Sequence, residues 1–118
     1  MLRKTKRKIV LAPFPFDDLS SDKIRPALRL TRIIGTHRQT VLAYITSKVP
    51  PSPLTSDLIL DSSHPDFALT GLKITSTLRI HLLYTIANDH ILRELGELPP
   101  AFDAEVDERL RSLFELAS

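Results

Sequence analysis

Apolar residues in the first three-quarters of the chain recur in short runs interrupted by turn residues, a pattern typical of β-strands. The predicted strands are 8–13, 27–34, 40–47, 57–61, 74–81 and 91–95. The clearest alternation is in 74–81, where Leu78 and Ile80 point to one face and Arg79 and His81 to the other. A turn-rich segment at 35–39 predicts an antiparallel hairpin between the second and third strands. Strands are therefore expected between residues 8 and 96.

The hydrophobic period changes near residue 100, and one terminal helix is predicted over about 100–116. Its apolar stripe consists of Phe102, Val106, Leu110, Leu113 and Phe114. Pro100 suits an opening turn, because its missing N–H costs little there. Strands followed by one helix predict a mainly β fold with a C-terminal helix, as a small, partly closed antiparallel barrel or sandwich. The chain is interpreted as one domain over 1–118.

Composition narrows the function classes. The chain has 118 residues, 42% of them hydrophobic, and it contains no cysteine. No apolar run approaches the ~18 residues that span a bilayer, and Asp17 and Asp18 follow the apolar part of the N-terminus, unlike a signal peptide. A cytoplasmic protein without a membrane partner is expected.

Residues 1–8 carry five basic groups and no acid, whereas 89–118 carry three basic and eight acidic groups. The front and middle of the chain can therefore attract phosphate, and a solvated terminus is the alternative reading of the basic head.

Metal and cofactor sites are not predicted. The four histidines, at 37, 64, 81 and 90, show no ligand spacing. The three glycines lie too far apart for a phosphate-binding loop, and no G-x-S-x-G segment is present.

Three polar groups are candidates for chemistry. Arg25 precedes Pro26, which pushes it toward extended geometry, so its guanidinium is aimed at the start of a predicted strand and can clamp a phosphate. The hydroxyls of Thr46 and Ser47 come at the end of the strand expected to pair with it. Arg79 and His81 share one strand face about 7 Å apart, where an imidazole can act as acid or base. Each group also has a structural reading as a surface residue or a strand cap.

Together the segments resemble the PemK/MazF family of toxin–antitoxin ribonucleases. The resemblance is carried in order by 9–20 (IVLAPFPFDDLS), 25–28 (RPAL), 45–47 (ITS), 71–73 (GLK), 76–80 (STLRI) and 105–108 (EVDE). It covers nearly the whole chain and implies a small SH3-like barrel with a terminal helix.

The resemblance also implies a metal-independent, sequence-selective endoribonuclease without cofactors. Such an enzyme cuts single-stranded RNA by 2′-OH attack, is neutralised by a cognate antitoxin, and forms a homodimer. The resemblance assigns catalytic roles to Arg25 and Thr46. We add His81 as a third candidate, because it stands where some family members have an acidic residue. The expected substrate-binding residues are Ser47, Lys23, Arg79 and Phe16.

Two departures from the family pattern keep alternatives open. Arg7-Lys8 stand where members usually have a glycine and an acidic residue, and Arg79-Ile80-His81 replaces an Arg-x-Asp of some members. The first alternative is a catalytically weakened barrel that binds RNA or a protein. The second is a gyrase poison of the CcdB type, which is disfavoured because the chain has no tryptophan and ends Phe114-Glu-Leu-Ala-Ser.

Overall fold

The structure is a computed structural model that describes residues 7–14 and 23–117. Its strands are β1 (Lys8–Phe14), β2 (Lys23–Arg29), β3 (Gln39–Thr46), β4 (Asp57–Leu60), β5 (Ser76–Ala87) and β6 (Arg93–Glu97), followed by helix α1 (Asp103–Leu113). Short 3₁₀ turns occupy Phe67–Thr70, Asn88–His90 and Pro100–Phe102. Within the described residues the strands form one antiparallel sheet in the order β4-β5-β3-β2-β1-β6, curled into a half-barrel. The mainly β fold with a C-terminal helix is confirmed.

Apolar side chains lie on both faces of the curled sheet. One face packs against α1, whose Val106 is fully buried with strand residues such as Ile9, Ile45 and Leu78. The other face carries an aromatic cluster in which the Phe14 ring lies 5.3 Å from Tyr44 and 5.2 Å from Tyr84, measured between centroids. Burial on both faces fits the near-continuous apolar runs of β1 (IVLAPF) and β3 (VLAYI).

The second strand differs most from the prediction. It begins at Lys23 rather than 27 and ends at Arg29 rather than 34, so it runs through Pro26. Pro26 is tolerated because it faces Leu11 of β1, whereas pairing with β3 begins only at Ala27. Arg25 therefore lies inside β2, whereas the predicted start at 27 left it before the strand.

The predicted strand 74–81 is also longer than expected, because β5 continues to Ala87. Its pairing with β3 shifts register: Tyr44 faces Arg79, but the preceding Ala43 faces Leu83. The segment 80–82 is thus extra chain on β5, which forms a bulge and interrupts the period of two. Leu78 and Ile80 are buried as predicted, whereas Ile74 lies outside the strand and is exposed.

At the C-terminal end the predictions hold with shifted bounds. Strand β6 covers 93–97 instead of 91–95, and Gly96 lies inside it rather than ending it. Helix α1 ends at Leu113, so Phe114 follows the helix and is 55% exposed, contrary to its predicted place in the apolar stripe. Phe102 and Val106 are buried, and Leu110 and Leu113 pack on the same core.

Arg7, immediately before β1, joins the sheet to the terminal helix. It has a positive φ of 77°, the left-handed region that glycine occupies most easily, which gives a conformational reason for the glycine that the resemblance implies at this place. The buried guanidinium pairs with Asp107 and lies 3.7 Å from Asp103. Arg7 thus combines an unfavourable backbone conformation with ion pairs to α1 that a glycine could not make.

Two further cations of the same end of the sheet have shifted pKa values. A hydrogen bond from Lys8 to Glu94, with Glu97 beside it, raises the pKa of the Lys8 ammonium. Burial lowers the pKa of the Arg29 guanidinium, which donates to the Asn88 side chain at 3.1 Å.

Candidate functional site

Arg25 and Thr46 lie on the same face of neighbouring strands. Arg25 faces Ala12 in β1, and one of its guanidinium nitrogens donates to the Ile24 carbonyl at 3.1 Å. Strands β2 and β3 pair Ala27 with Tyr44. The same antiparallel register, continued by two positions, sets Arg25 opposite Thr46. Both residues line one groove.

The end of β3 turns sharply at Thr46. Its Oγ1 accepts a hydrogen bond of 3.2 Å from the Lys48 backbone N–H, as in hydroxyl-capped turns. This turn leaves Ser47 and Lys48 exposed at the mouth of the groove. The hydroxyls predicted to end the strand are therefore beside Arg25, as the pairing of the two strands implies.

The groove has a volume of about 770 Å³ and a basic lining. Its cationic residues are Lys23, Arg25, Lys48, Lys73 and Arg93, and its hydroxyl residues are Tyr44, Thr46, Ser47 and Ser76. Among the described residues that line it there is no carboxylate. The side chains of Ile24 and Ile74, 43% and 56% exposed, add apolar surface at the rim. Clustered cations without acids attract a phosphate backbone, and apolar patches between them suit bases.

The turn that ends at Gly71 lies in close backbone contact with β6 at Gly96, and both segments line the groove. A Cβ on Gly71 would lie 2.1 Å from the Leu95 carbonyl oxygen, and one on Gly96 would lie 2.2 Å from the Leu69 carbonyl oxygen. Gly71 also has a φ of +74°. Only glycines allow the turn before Lys73 to lie directly on β6, and this contact sets Lys73 and Arg93 on the same side of the groove.

The structure brings together some of the predicted site residues. Arg25, Thr46, Ser47 and Lys23 share the groove. Phe16 lies outside the described residues. Sequence reasoning missed three cations of this groove, Lys48, Lys73 and Arg93. Lys73 belongs to the GLK segment that carried the family resemblance, but it was given no role, and nothing in the local pattern points to Arg93.

Arg79 and His81 are placed elsewhere. Arg79 pairs with the buried carboxylate of Asp57, with 2.9 Å between Nε and Oδ1, and it lines a second cavity beside the groove. His81 Nδ1 lies 2.8 Å from the Ser56 hydroxyl, and His81 lines neither cavity. The structure does not bring His81 beside Arg25. A role in proton transfer is untested by this geometry, and the contact with Ser56 favours a structural role instead.

Two further features bear on the class of protein. In the part of the chain that the structure describes, no three histidine or acidic side chains are grouped closely enough to hold a metal ion. The same part contains no helix long and apolar enough to cross a membrane.

Comparison with known proteins decides the family. A sequence profile of the PemK-like, MazF-like toxins of type II toxin–antitoxin systems matches residues 5–114. The chain belongs to this family. None of the curated proteins matches it in sequence.

Solved structures of PemK/MazF toxins share the fold. The Mycobacterium tuberculosis toxin MazF-mt6 is 24% identical with a TM-score of 0.73, covering 95% of this chain and all 100% of that one. A mycobacterial endoribonuclease in complex with its cognate antitoxin is 14% identical, with a TM-score of 0.68 and 97% of each chain covered. A MazE–MazF structure from Deinococcus radiodurans is 19% identical, with a TM-score of 0.66, covering 96% of this chain and 97% of that one. At these identities the structures establish the half-barrel with its terminal helix.

Proposed function

We propose that this PemK/MazF-family chain is an endoribonuclease toxin that cuts single-stranded RNA at short preferred sequences and needs no metal. The observation that carries the proposal is the basic groove in which Arg25 and Thr46 line the same surface. Family membership and the endoribonuclease names of similar structures support the same reading. The fold alone would not, because small barrels serve many functions.

The proposed reaction is an internal transfer at phosphorus. The 2′-oxygen attacks the adjacent phosphorus as its proton is lost, and the P–O5′ bond breaks as the 5′-oxygen gains a proton. The products are a 2′,3′-cyclic phosphate and a 5′-OH. Negative charge grows on the phosphoryl oxygens in the transition state, where the Arg25 guanidinium and the Thr46 hydroxyl would stabilise it. Arg25 is assigned this electrostatic role and not proton transfer, because a guanidinium stays protonated in proteins.

The remaining cations bind substrate in this proposal. Lys23, Lys48, Lys73 and Arg93 would contact flanking phosphates, and Ser47 would donate to the scissile one. Binding of this kind weakens as salt rises, because each neutralised phosphate releases counterions.

We further infer a cognate antitoxin as the protein partner, a homodimer as the working form, and the cytoplasm as the compartment. The antitoxin is supported by the family and by similar structures solved with antitoxins. In the single chain Leu83 and Tyr84 of β5 are only half-buried, on opposite faces of the sheet, and so leave apolar area for contact with a second copy. Light scattering at micromolar concentration is expected to give about twice the chain mass of 13.3 kDa.

A barrel that binds RNA without cutting it is the second candidate. It is favoured by one observation: among the described residues lining the groove there is no carboxylate or imidazole to accept the 2′-OH proton. Incubation of a long single-stranded RNA with the purified protein in EDTA, followed by end-group analysis, separates the two. Fragments ending in 2′,3′-cyclic phosphate and 5′-OH support the enzyme. A retarded but intact RNA supports the binding protein.

A further inference from the structure

A second cavity, of about 720 Å³, opens beside the basic groove. The two share Tyr44, Thr46 and Lys48, so that the second cavity adjoins the groove beside Thr46. Its volume is in the range of pockets that hold small organic groups, roughly 300–1,000 Å³. Its lining differs from that of the groove, because apolar residues predominate over cations.

The bulge of β5 builds one wall of this cavity. In a regular strand, residues three positions apart point to opposite faces. The extra residues at 80–82 change the phase, so that Arg79 and Leu82 both line the cavity. Leu82 packs with the cluster that contains Tyr44. β-Bulges beside functional sites commonly re-aim a side chain in this way.

The Arg79 guanidinium is held rigidly in that wall. Two of its nitrogens donate to Asp57, at 2.9 and 3.3 Å, and the Asp57 side chain is fully buried. The second terminal nitrogen takes no part in either bond. A planar guanidinium fixed in this manner can donate from that nitrogen to a ring nitrogen or carbonyl of a ligand.

The opposite wall is formed by Val49, Pro50 and Pro51. Proline rings fix the backbone φ, which limits the conformations open to this wall. The start of the following strand is tied down as well, because the Leu54 N–H donates to the Asp57 carboxylate at 2.8 Å. The cavity thus has rigid apolar walls, one immobilised donor and a cationic entrance.

From this arrangement we propose that the second cavity binds one unpaired nucleobase of the RNA, next to the phosphate held by Arg25 and Thr46. Single-stranded RNA is read in this way, with a splayed base enclosed by apolar or aromatic groups and bonded at its edge. The cavity would therefore set the base preference at one position of the cleavage site. The inference rests on the proposed function, because it takes the neighbouring groove as the RNA phosphate site.

The test is a cleavage profile on a randomised single-stranded RNA pool, read by sequencing the fragment ends. The variants are Leu82→Ala, Val49→Ala and Arg79→Lys, which enlarge the cavity or remove the planar donor. Leu54→Ala is the control matched to Val49→Ala, because the two side chains are almost equally exposed, at 52% and 49%. Leu54 does not line the cavity. Val49→Ala keeps the test valid if truncation at the more buried Leu82 prevents folding.

The expected result is a change of about tenfold in base preference at a single position adjacent to the cut, since small changes in an apolar pocket alter discrimination by that order. Preferences at the other positions and the whole Leu54→Ala profile should match the parent. A variant profile identical to that of the parent overturns the inference, and so does a uniform slowing at every site, which would indicate a purely structural cavity.

A binding measurement separates this inference from the proposed function. Short oligonucleotides with a 2′-deoxy group at the cleavage site cannot be cut, and sets differing in one base can be titrated against parent and Val49→Ala protein. Base-dependent affinity at one position that is lost in the variant supports the cavity even where no RNA is cut. Equal affinities for all bases in the parent overturn it, even where cleavage is observed.

Discussion

The Arg79 guanidinium donates two hydrogen bonds to the Asp57 carboxylate, from Nε to Oδ1 at 2.9 Å and from a terminal nitrogen to Oδ2 at 3.3 Å. The pair connects neighbouring strands, because Asp57 begins β4 and faces Arg79 across the β4–β5 ladder. The Asp57 carbonyl also accepts a bond of 3.0 Å from Arg109 of α1. One buried residue therefore joins the edge strand β4, its neighbour β5 and the terminal helix.

Asp57→Asn is expected to lower the free energy of unfolding by about 3 kcal/mol, because it leaves the Arg79 charge partly buried without its counterion. Urea denaturation measures the loss. Asp89→Asn, at an exposed carboxylate, is the control and should change stability by less than about 0.5 kcal/mol. Equal stabilities of the two variants would show that the pair adds nothing to the fold.

Gly96→Ala is expected to destabilise the protein more than Gly35→Ala. At Gly96 the new methyl would meet the Leu69 carbonyl at 2.2 Å, and the clash should cost about 3 kcal/mol, the upper end for overpacking. At Gly35 the methyl meets nothing within 4 Å, and only the φ of +73° is unfavourable, at about 1 kcal/mol. Thermal melting of both variants checks the order. The reverse order would mean that β6 and the turn before Gly71 separate easily.

Arg25→Ala should reduce RNA cleavage by roughly 10²–10³-fold, because one transition-state charge contact is lost. Arg25 is only partly buried, so the melting temperature should stay near that of the parent. Single-turnover cleavage of a mapped RNA gives the rate. Arg111→Ala removes an exposed arginine of α1 that lies outside the groove lining, and it should leave the rate unchanged. Near-parental turnover of Arg25→Ala would refute the assigned role.

Thr46→Val keeps the side-chain shape and removes the hydroxyl. The expected result is a fall of roughly 10²-fold in kcat with a much smaller change in RNA affinity, since the bond to the phosphate strengthens in the transition state. Thr46→Ser should restore most of the rate, and Thr85→Val tests the same change at an exposed threonine of β5. Equal losses of rate and affinity would instead assign Thr46 to ground-state binding or to the turn at Lys48.

Local patterns predicted those parts of the fold that depend on neighbouring residues. Short apolar runs bounded by turn residues located β1 and the hairpin, and the helical period of apolar residues located α1. The start of β2 was missed because Pro26 reads as a strand breaker, although β3 does not pair with it. The length of β5 was missed because its bulge breaks the alternation after Arg79.

The candidate site also has parts that the sequence predicts and parts that it does not. Arg25 and Thr46 were predicted to meet because paired strands place them together. The convergence of Lys73 and Arg93 was not predictable, since it depends on the contact of Gly71 and Gly96 between segments distant in the chain. The sequence places Arg79 and His81 on one strand face, but it does not show their partners. In the structure Arg79 bonds to Asp57 and His81 to Ser56.

The last prediction concerns His81, whose ring is tied to Ser56 outside the groove. Loss of a general acid or base typically lowers a rate by 10²–10⁴-fold, whereas loss of one hydrogen bond costs about 1 kcal/mol of stability. We therefore expect His81→Asn to cut RNA within about tenfold of the parent rate and to melt at a slightly lower temperature. Ser56→Ala should lower the free energy of unfolding by the same small amount. The double variant should be no less stable than either single variant, because both substitutions remove the same hydrogen bond. His81→Asp should not raise activity. A fall of about 10²-fold or more for His81→Asn, with unchanged melting and a normal Ser56→Ala rate, would instead place the imidazole at the RNA.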